Sequence, residues 1–275
     1  MYKIVEKTIL SPNIKKLVIK APRIAQKTQP GQFIILRVDE KGERIPLTIV
    51  QENRENGTIT LIVLEVGTTT KKLGAMKVGE SLITLSGPLG LPVKVKKYGT
   101  TVVIGGGIGI AEAYPIANAL KNEGNYVISI IGTRREDLLI LEDELRNISD
   151  ELYITTDDGT KGHKGFVTDV LKSLLGKRGI NYVFAVGPTI MMRVVSDITR
   201  PYKVKTIVSL NPIMIDGTGM CGGCRVTIDG QNKFACLDGP AFDGHLVDFD
   251  ELMSRTLIFI DHEKCSLDLY EQSQK

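Results

Sequence analysis

The middle of the chain alternates short apolar runs with helical patterns, and this alternation leaves few folds open. "TTVVIGGG" (100–107) precedes "IAEAYPIANALKNEG", and "NYVISIIGT" precedes "REDLLILEDELRNIS". "ELYITTDDG" then precedes "GFVTDVLKSLLGKRG", "NYVFAVGP" precedes "TIMMRVVSDITRPY", and "KVKTIVSLN" closes the series. Strands separated by helices predict a parallel sheet covered on both faces. Ligands of such sheets lie at the carboxyl ends of the strands. We assign residues 98–207 to this α/β unit.

Residues 1–97 read as all-β. "QFIILRV", "IPLTIV", "GTITLIVLEV" and "ESLITLSGP" are rich in Ile, Val, Leu and Thr. Turn signals at Pro30-Gly31, Asn56-Gly57 and Val78-Gly79-Glu80 separate them, which predicts a small antiparallel barrel. "TTTKKLGAM" is the one helix expected here. A net charge of +3, with Lys and Arg spread along the chain, is too small to argue for a nucleic-acid groove. Lys71-Lys72 and the Lys94, Lys96, Lys97 group read as solvated faces. The apolar stretch from Thr101 to Leu120 contains Glu112, Pro115 and four glycines, so it reads as strand and helix and not as a membrane span. The opening residues read as a strand, not a signal peptide, which leads us to expect a cytoplasmic protein.

Residues 208–275 form a third segment, rich in glycine and cysteine near its start and polar at its end. It is too short for its own core and is expected to need a metal or cluster. It holds Cys221, Cys224 and Cys236, with Cys265 far downstream. In a reducing compartment, clustered cysteines are metal ligands more often than disulfides. Zinc accepts three thiolates and one further ligand, and His245 is the nearest histidine. An iron–sulfur cluster is the rival reading.

In "VVIGGGIGIAEAYPIA", Gly105, Gly106, Gly107 and Gly109 stand between a strand and a helix. Such a turn lets backbone N–H groups and the positive helix end approach a pyrophosphate. The next strand ends in "IIGTRRED", without an acid to hold a ribose. Arg134 or Arg135 can reach an adenosine phosphate, or pair with Glu136 and Asp137. Thr156, Asp157, Gly187 and Pro188 fall at later strand ends on the same sheet edge. His163 reads as an exposed loop residue. In the barrel, Arg44 offers a fixed positive charge. Thr68, Thr69 and Thr70 offer hydroxyl and N–H donors at a helix start.

Together, Arg-x-Pro-x-Thr (Arg44, Pro46, Thr48), Gly-x-x-Thr (Gly67 to Thr70), "GPLG" (87–90) and the GGGIG turn resemble the ferredoxin–NADP reductase superfamily. The resemblance implies a β-barrel plus α/β fold class: an antiparallel flavin-binding barrel, a parallel-sheet nicotinamide-binding domain and a C-terminal [2Fe–2S] segment. It implies FAD along Arg44, Pro46, Leu47 and Thr48, along Ile62, Val63 and Leu64, and at Gly67, Thr68, Thr69 and Thr70. It implies NAD(H) or NADP(H) at Gly106, Gly107, Ile108, Gly109, Arg134, Asp157, Gly187 and Pro188. The family's strand motif is Arg-x-Tyr-Ser/Thr. Here Leu47 replaces the stacking tyrosine, and Arg44 lies one residue early.

A proline and an aliphatic residue before Thr48 resemble the branch containing the electron-transfer subunit of dihydroorotate dehydrogenase. That branch carries a cluster loop of Cys-x4-Cys-x2-Cys and a later fourth Cys. Here Asp216 takes the first position, with the x4 spacing to Cys221 intact. This pattern resembles the small subunits of electron-bifurcating, NADH-dependent reduced ferredoxin:NADP oxidoreductases. It implies a [2Fe–2S] cluster on Asp216, Cys221, Cys224 and Cys236, with Cys265 as the alternative fourth ligand. It also implies a larger partner subunit with a second flavin and [4Fe–4S] clusters, and ferredoxin reached through that complex. No catalytic acid or base is expected. Partner subunits of dihydroorotate dehydrogenase or of sulfide or polysulfide reductases remain open. So does a zinc-stabilised nucleotide-binding module without redox activity.

Overall fold

Side chains of a strand point alternately to its two faces, and the central strand Thr100–Gly106 uses both. Val102 and Ile104 pack on one side of the sheet, and Val103 packs on the other. The computed structural model describes residues 2–274. Its α/β sheet has seven strands, in the order His163–Lys164, Glu151–Thr156, Tyr126–Thr133, Thr100–Gly106, Tyr182–Val186, Lys205–Ser209 and Ala241–Asp243. All pair in parallel except the last, which runs antiparallel beside Lys205–Ser209. The chain adds strands first to one side of Thr100–Gly106 and then to the other. The change of direction opens a crevice between the carboxyl ends of Thr100–Gly106 and Tyr182–Val186.

The helices follow the sequence pattern closely in three cases. Ile110–Asn122 covers one face, and Val167–Leu175 and Thr189–Thr199 cover the other. In Val167–Leu175 the buried residues Val167, Leu171, Leu174 and Leu175 make one stripe at helical spacing. Its first turn is secured by Asp169, whose carboxylate accepts the Phe166 N–H at 2.8 Å. The fourth expected helix is broken. A short 3₁₀ turn at Glu136–Leu138 is followed by a helix only over Glu142–Ile148, because Leu141 takes a left-handed conformation with φ of 55°. His163 is exposed, as expected, but lies on the edge strand and not in a loop.

The first part consists of two antiparallel sheets that close around one core. One runs Gln51–Asn53, Thr58–Leu64, Ile14–Lys20, Tyr2–Ser11, Ser81–Leu82, and the other Ile45–Thr48, Phe33–Arg37, Thr84–Leu89. Ile4, Leu17, Ile34, Leu36, Leu61 and Val63 fill the space between them, each contributing about 1.5–3 kcal/mol. The expected helix forms over Thr68–Ala75, and a short one at Pro22–Ala25 joins it.

The third segment is held by more than its cysteines. Ala241–Asp243 enters the α/β sheet, and Val226, Ile228, Phe242, Phe249 and Leu252 share that sheet's core. A hairpin, Arg225–Ile228 with Gln231–Phe234, turns at Asp229-Gly230, both with positive φ as this turn requires. The polar end is helical over Ile260–Ser273, with Thr68 and Ser266 hydroxyls 3.1 Å apart where it meets the barrel helix. Among the described residues, no helix is long and apolar enough to cross a membrane.

Gly109 ends a 3₁₀ turn, Gly107–Gly109, that feeds Ile110–Asn122. A Cβ here would lie 2.4 Å from the Val186 carbonyl oxygen. Gly109→Val should therefore destabilise the protein by about 1–3 kcal/mol, read as a lower denaturation midpoint. Gly179→Ala, where nothing lies within 4 Å, should leave the midpoint in place.

Candidate functional site

The crevice at the sheet's switch point continues into the barrel as one cavity of about 680 Å³, within the roughly 300–1,000 Å³ range of small-molecule sites. From the barrel it is lined by Pro46, Leu47, Thr48, Ile62 and Leu64. From the α/β unit it is lined by Gly106, Gly107, Ile108, Gly109, Arg134, Gly187 and Pro188. Twelve of the expected binding residues thus meet in one place. The apolar barrel wall suits a flat ring system, and the glycine turn brings backbone and a helix start to the opposite wall. Gly107, with φ of 56° and nothing within 4 Å of its missing Cβ, leaves that wall open.

The other expected residues lie elsewhere. Val63 alternates with Ile62 and Leu64 and so points into the barrel core. Arg44 is exposed just before the strand Ile45–Thr48. The cavity lining reaches Val66, one residue short of Gly67. The three threonine hydroxyls beyond it already have protein partners. Thr70 receives the Gly67 N–H at 2.9 Å, Thr69 donates to Glu43 at 3.2 Å, and Thr68 meets Ser266.

A second cavity, about 440 Å³, opens beside the first. Gly106, Gly107, Arg134 and Pro188 line both, and Asp157, Phe166 and Ile190 line the second alone. Phe166 and Ile190 are exposed apolar side chains at its rim, and sequence reasoning passed them over. Arg135 is not in either lining. Its guanidinium forms two hydrogen bonds to the Asp137 carboxylate, one of 3.0 Å. That contact raises the pKa of Arg135 and lowers that of Asp137.

Glu112 also lines the first cavity, in the first turn of the helix that follows the glycines. It accepts the Thr48 hydroxyl at 3.1 Å, which joins barrel to sheet. Burial pushes its pKa up, against smaller opposing effects from Ser209 and Thr48. The signal for it was a lone acid inside an apolar helical run.

The cysteine segment gathers its donors around a glycine-rich loop. Cys224 and Cys236 are buried with their sulfurs 3.2 Å apart. Cys221 is exposed and accepts the Gly223 N–H at 3.4 Å, and Cys224 accepts the Cys236 N–H at 3.4 Å. Asp216 accepts the Thr218 and Cys221 N–H groups at 2.9 and 2.8 Å, and these bonds hold its pKa down. Burial, then Cys224, push the Cys236 thiol up to about 12. The Asp216 carboxylate is close enough to add to that rise. Among the described residues, no three donors close around a single metal ion. The thiol-rich set, with N–H groups aimed at sulfur, fits a two-iron cluster that takes two ligands on each iron. His245 is turned elsewhere, with Nε2 2.9 Å from the Thr199 hydroxyl and burial lowering its pKa. Cys265 is exposed on the helix Ile260–Ser273, beside the barrel helix.

Fold and site together define a flavin- and iron–sulfur-linked oxidoreductase subunit. A family described as the oxidoreductase FAD-binding domain matches residues 1–93. The iron–sulfur cluster binding domain of dihydroorotate dehydrogenase B matches residues 211–248. A Thermotoga maritima protein named as a dihydroorotate dehydrogenase B (NAD(+)) electron transfer subunit homolog is 46% identical over 267 residues, 97% of this chain and 94% of that protein. The Bacillus cereus dihydroorotate dehydrogenase B (NAD(+)) electron transfer subunit is 33% identical over 252 residues, 87% of this chain and 94% of that protein. A solved structure described as an NADH-dependent reduced ferredoxin-NADP oxidoreductase is 45% identical. It has a TM-score of 0.94 and covers 100% of this chain and 98% of that one. Phthalate dioxygenase reductase, 18% identical with a TM-score of 0.59, shares the fold. The chain belongs to the dihydroorotate dehydrogenase B-type family of electron-transfer subunits, and its cofactors are FAD and an iron–sulfur cluster.

Cys224→Ala should abolish bound iron and sulfide while FAD stays, and Cys265→Ser should keep all three, as read by metal and flavin analysis. Glu112 gives a pH signature. A carboxyl with a raised folded pKa stabilises most below its unfolded pKa, about 4.3, and that stability is lost as pH rises through the folded value. Melting temperatures of the native protein should therefore fall relative to Glu112→Gln as pH rises above about 4.3.

Proposed function

We propose that this chain is the small subunit of a flavin-based, electron-bifurcating ferredoxin:NADP oxidoreductase. The observation that carries this reading is Asp216. It would take the first ligand position, and two backbone N–H groups orient its carboxylate and hold its pKa down. The full-length likeness to an NADH-dependent reduced ferredoxin-NADP oxidoreductase supports it. Asp216 and Cys221 would hold one iron, and the paired thiols of Cys224 and Cys236 the other.

FAD would occupy the larger cavity, with Pro46, Leu47, Thr48, Ile62 and Leu64 against its ring system. A nicotinamide would enter along Gly106, Gly107, Gly187 and Pro188, its adenosine half extending into the second cavity past Arg134, Asp157 and Phe166. Bound flavin supplies the exchange between two-electron nicotinamide and one-electron cluster chemistry. The protein supplies position and electrostatics. NAD(H) is the nucleotide this site favours. Arg135 is neutralised by Asp137, and the Asp158 carboxylate lies near enough to affect both. A 2′-phosphate would meet carboxylates there.

The partner would be a larger subunit with its own flavin and [4Fe–4S] clusters, meeting the exposed side of the cluster loop in the cytoplasm. Co-purification of the native complex tests this. A large flavoprotein with [4Fe–4S] clusters that reduces NADP with NADH and reduced ferredoxin supports the reading. A dihydroorotate dehydrogenase alongside the chain would replace it with the second reading, which the family match over residues 211–248 favours. A colourless zinc protein would sink both. In stopped-flow mixing, NADH should bleach the flavin faster than NADPH. Arg134→Ala should weaken NADH binding about tenfold, and Arg135→Ala should leave it unchanged.

A further inference from the structure

Glu112 is 9% exposed, and Oε1 of its carboxyl receives no well-formed hydrogen bond, although the Ser209 hydroxyl lies near enough to lower its pKa. Oε2 accepts the hydroxyl of Thr48. A buried carboxyl with an unmatched oxygen costs stability, and an apolar side chain of similar length would fill the same space without that cost. The arrangement therefore needs a reason outside packing. Three elements converge on it. Glu112 comes from the helix after the glycine turn, Thr48 from the end of a barrel strand, and Ser209 from the end of a parallel strand. All three line the larger cavity.

We propose that Glu112 is a positioning residue for the redox cofactor. It takes the Thr48 hydroxyl proton into its own hydrogen bond and so leaves Thr48 facing the cavity as an acceptor. This rests on the reading that FAD fills that cavity along Ile45–Thr48. A hydroxyl whose proton is committed can accept a hydrogen bond but not donate one. The redox-active nitrogen of a flavin is an acceptor when oxidised and a donor when reduced. An acceptor at Thr48 therefore favours the reduced cofactor. Loss of Glu112 frees the proton and makes Thr48 a donor, which favours the oxidised cofactor. Burial raises the pKa of the carboxyl and so favours the form that places no negative charge beside an electron-rich ring, with its proton on Oε1 and Oε2 left to accept from Thr48.

The test is the oxidised-to-reduced ratio of bound FAD against a reference dye, in the full-length, cofactor-loaded chain. Glu112→Met, close in volume, should shift that ratio toward oxidised flavin by about threefold to tenfold, the worth of one hydrogen bond. Glu112→Gln keeps an acceptor for Thr48 and should stay within about twofold. In a Thr48→Val background, Glu112→Met should add no further shift, which a purely structural role would not predict. If the methionine variant fails to fold, the infrared difference between oxidised and reduced native protein decides. It should contain a protonated-carboxyl band that Glu112→Gln removes. A FAD-loaded pair with coincident ratios, a shift toward reduced flavin, or an infrared difference without that band overturns the role of Glu112. A native chain that binds no FAD instead overturns the reading of the cavity and takes this inference with it.

Discussion

The architecture depends on how closely the glycine turn after Thr100–Gly106 can approach the neighbouring strand. Gly109 has room for no side chain because the Val186 carbonyl lies where a Cβ would go. That approach seats Ile110–Asn122 tightly on the sheet and directs its first turn at the crevice. It also places Glu112, two residues before Tyr114, under the end of the barrel strand Ile45–Thr48. Barrel and sheet are then joined through the site itself. Further bonds reinforce the seam, from the Ser11 hydroxyl to the Asp137 carbonyl at 2.8 Å and from the Leu91 N–H to the Gly239 carbonyl at 2.6 Å. The cavity is a product of two folding units and belongs to neither alone.

Electrostatics divide the site into unlike regions. At the seam, burial pushes the pKa of Glu112 up. Beside the second cavity, Arg135 and Asp137 cancel one another, whereas Arg134 lines both cavities. In the cysteine loop, backbone N–H groups keep Asp216 ionised while burial keeps the Cys236 thiol protonated. A metal centre must displace that proton, because the thiolate is the ligand.

Much of this was legible because short-range rules governed it. Period-two and helical patterns gave the sheet, and the glycine run gave the turn. The spacing from Asp216 through Cys236 gave the loop. Where the structure adds to or departs from the local pattern, the cause is tertiary context. The pattern of 135–149 is helical, yet Leu141 adopts a left-handed backbone and splits it. Thr68, Thr69 and Thr70 lie just beyond the cavity lining, and their hydroxyls bond to Ser266, Glu43 and the local backbone. Val63 stands between two cavity residues and so must face away from them. The polar C-terminal stretch is a helix that meets the barrel helix, 198 residues back in the chain at the Thr68–Ser266 contact. No local pattern could reveal that Ser209 and Thr48 meet around Glu112.

The antiparallel strand Ala241–Asp243 has one more consequence. Residues 210–240 leave the sheet at Ser209 and return beside it, and the Leu210 N–H bonded to the Pro240 carbonyl at 2.9 Å zips the base shut. Small metal domains commonly fold only around their metal. Here the mouth of the loop is sewn by backbone, and its flank is anchored by Val226, Ile228 and Phe242 in the sheet's own core. The scaffold can thus be finished first and the iron delivered afterwards. A centre lost to oxidation would leave a vacant socket in an intact protein, open to repair in place.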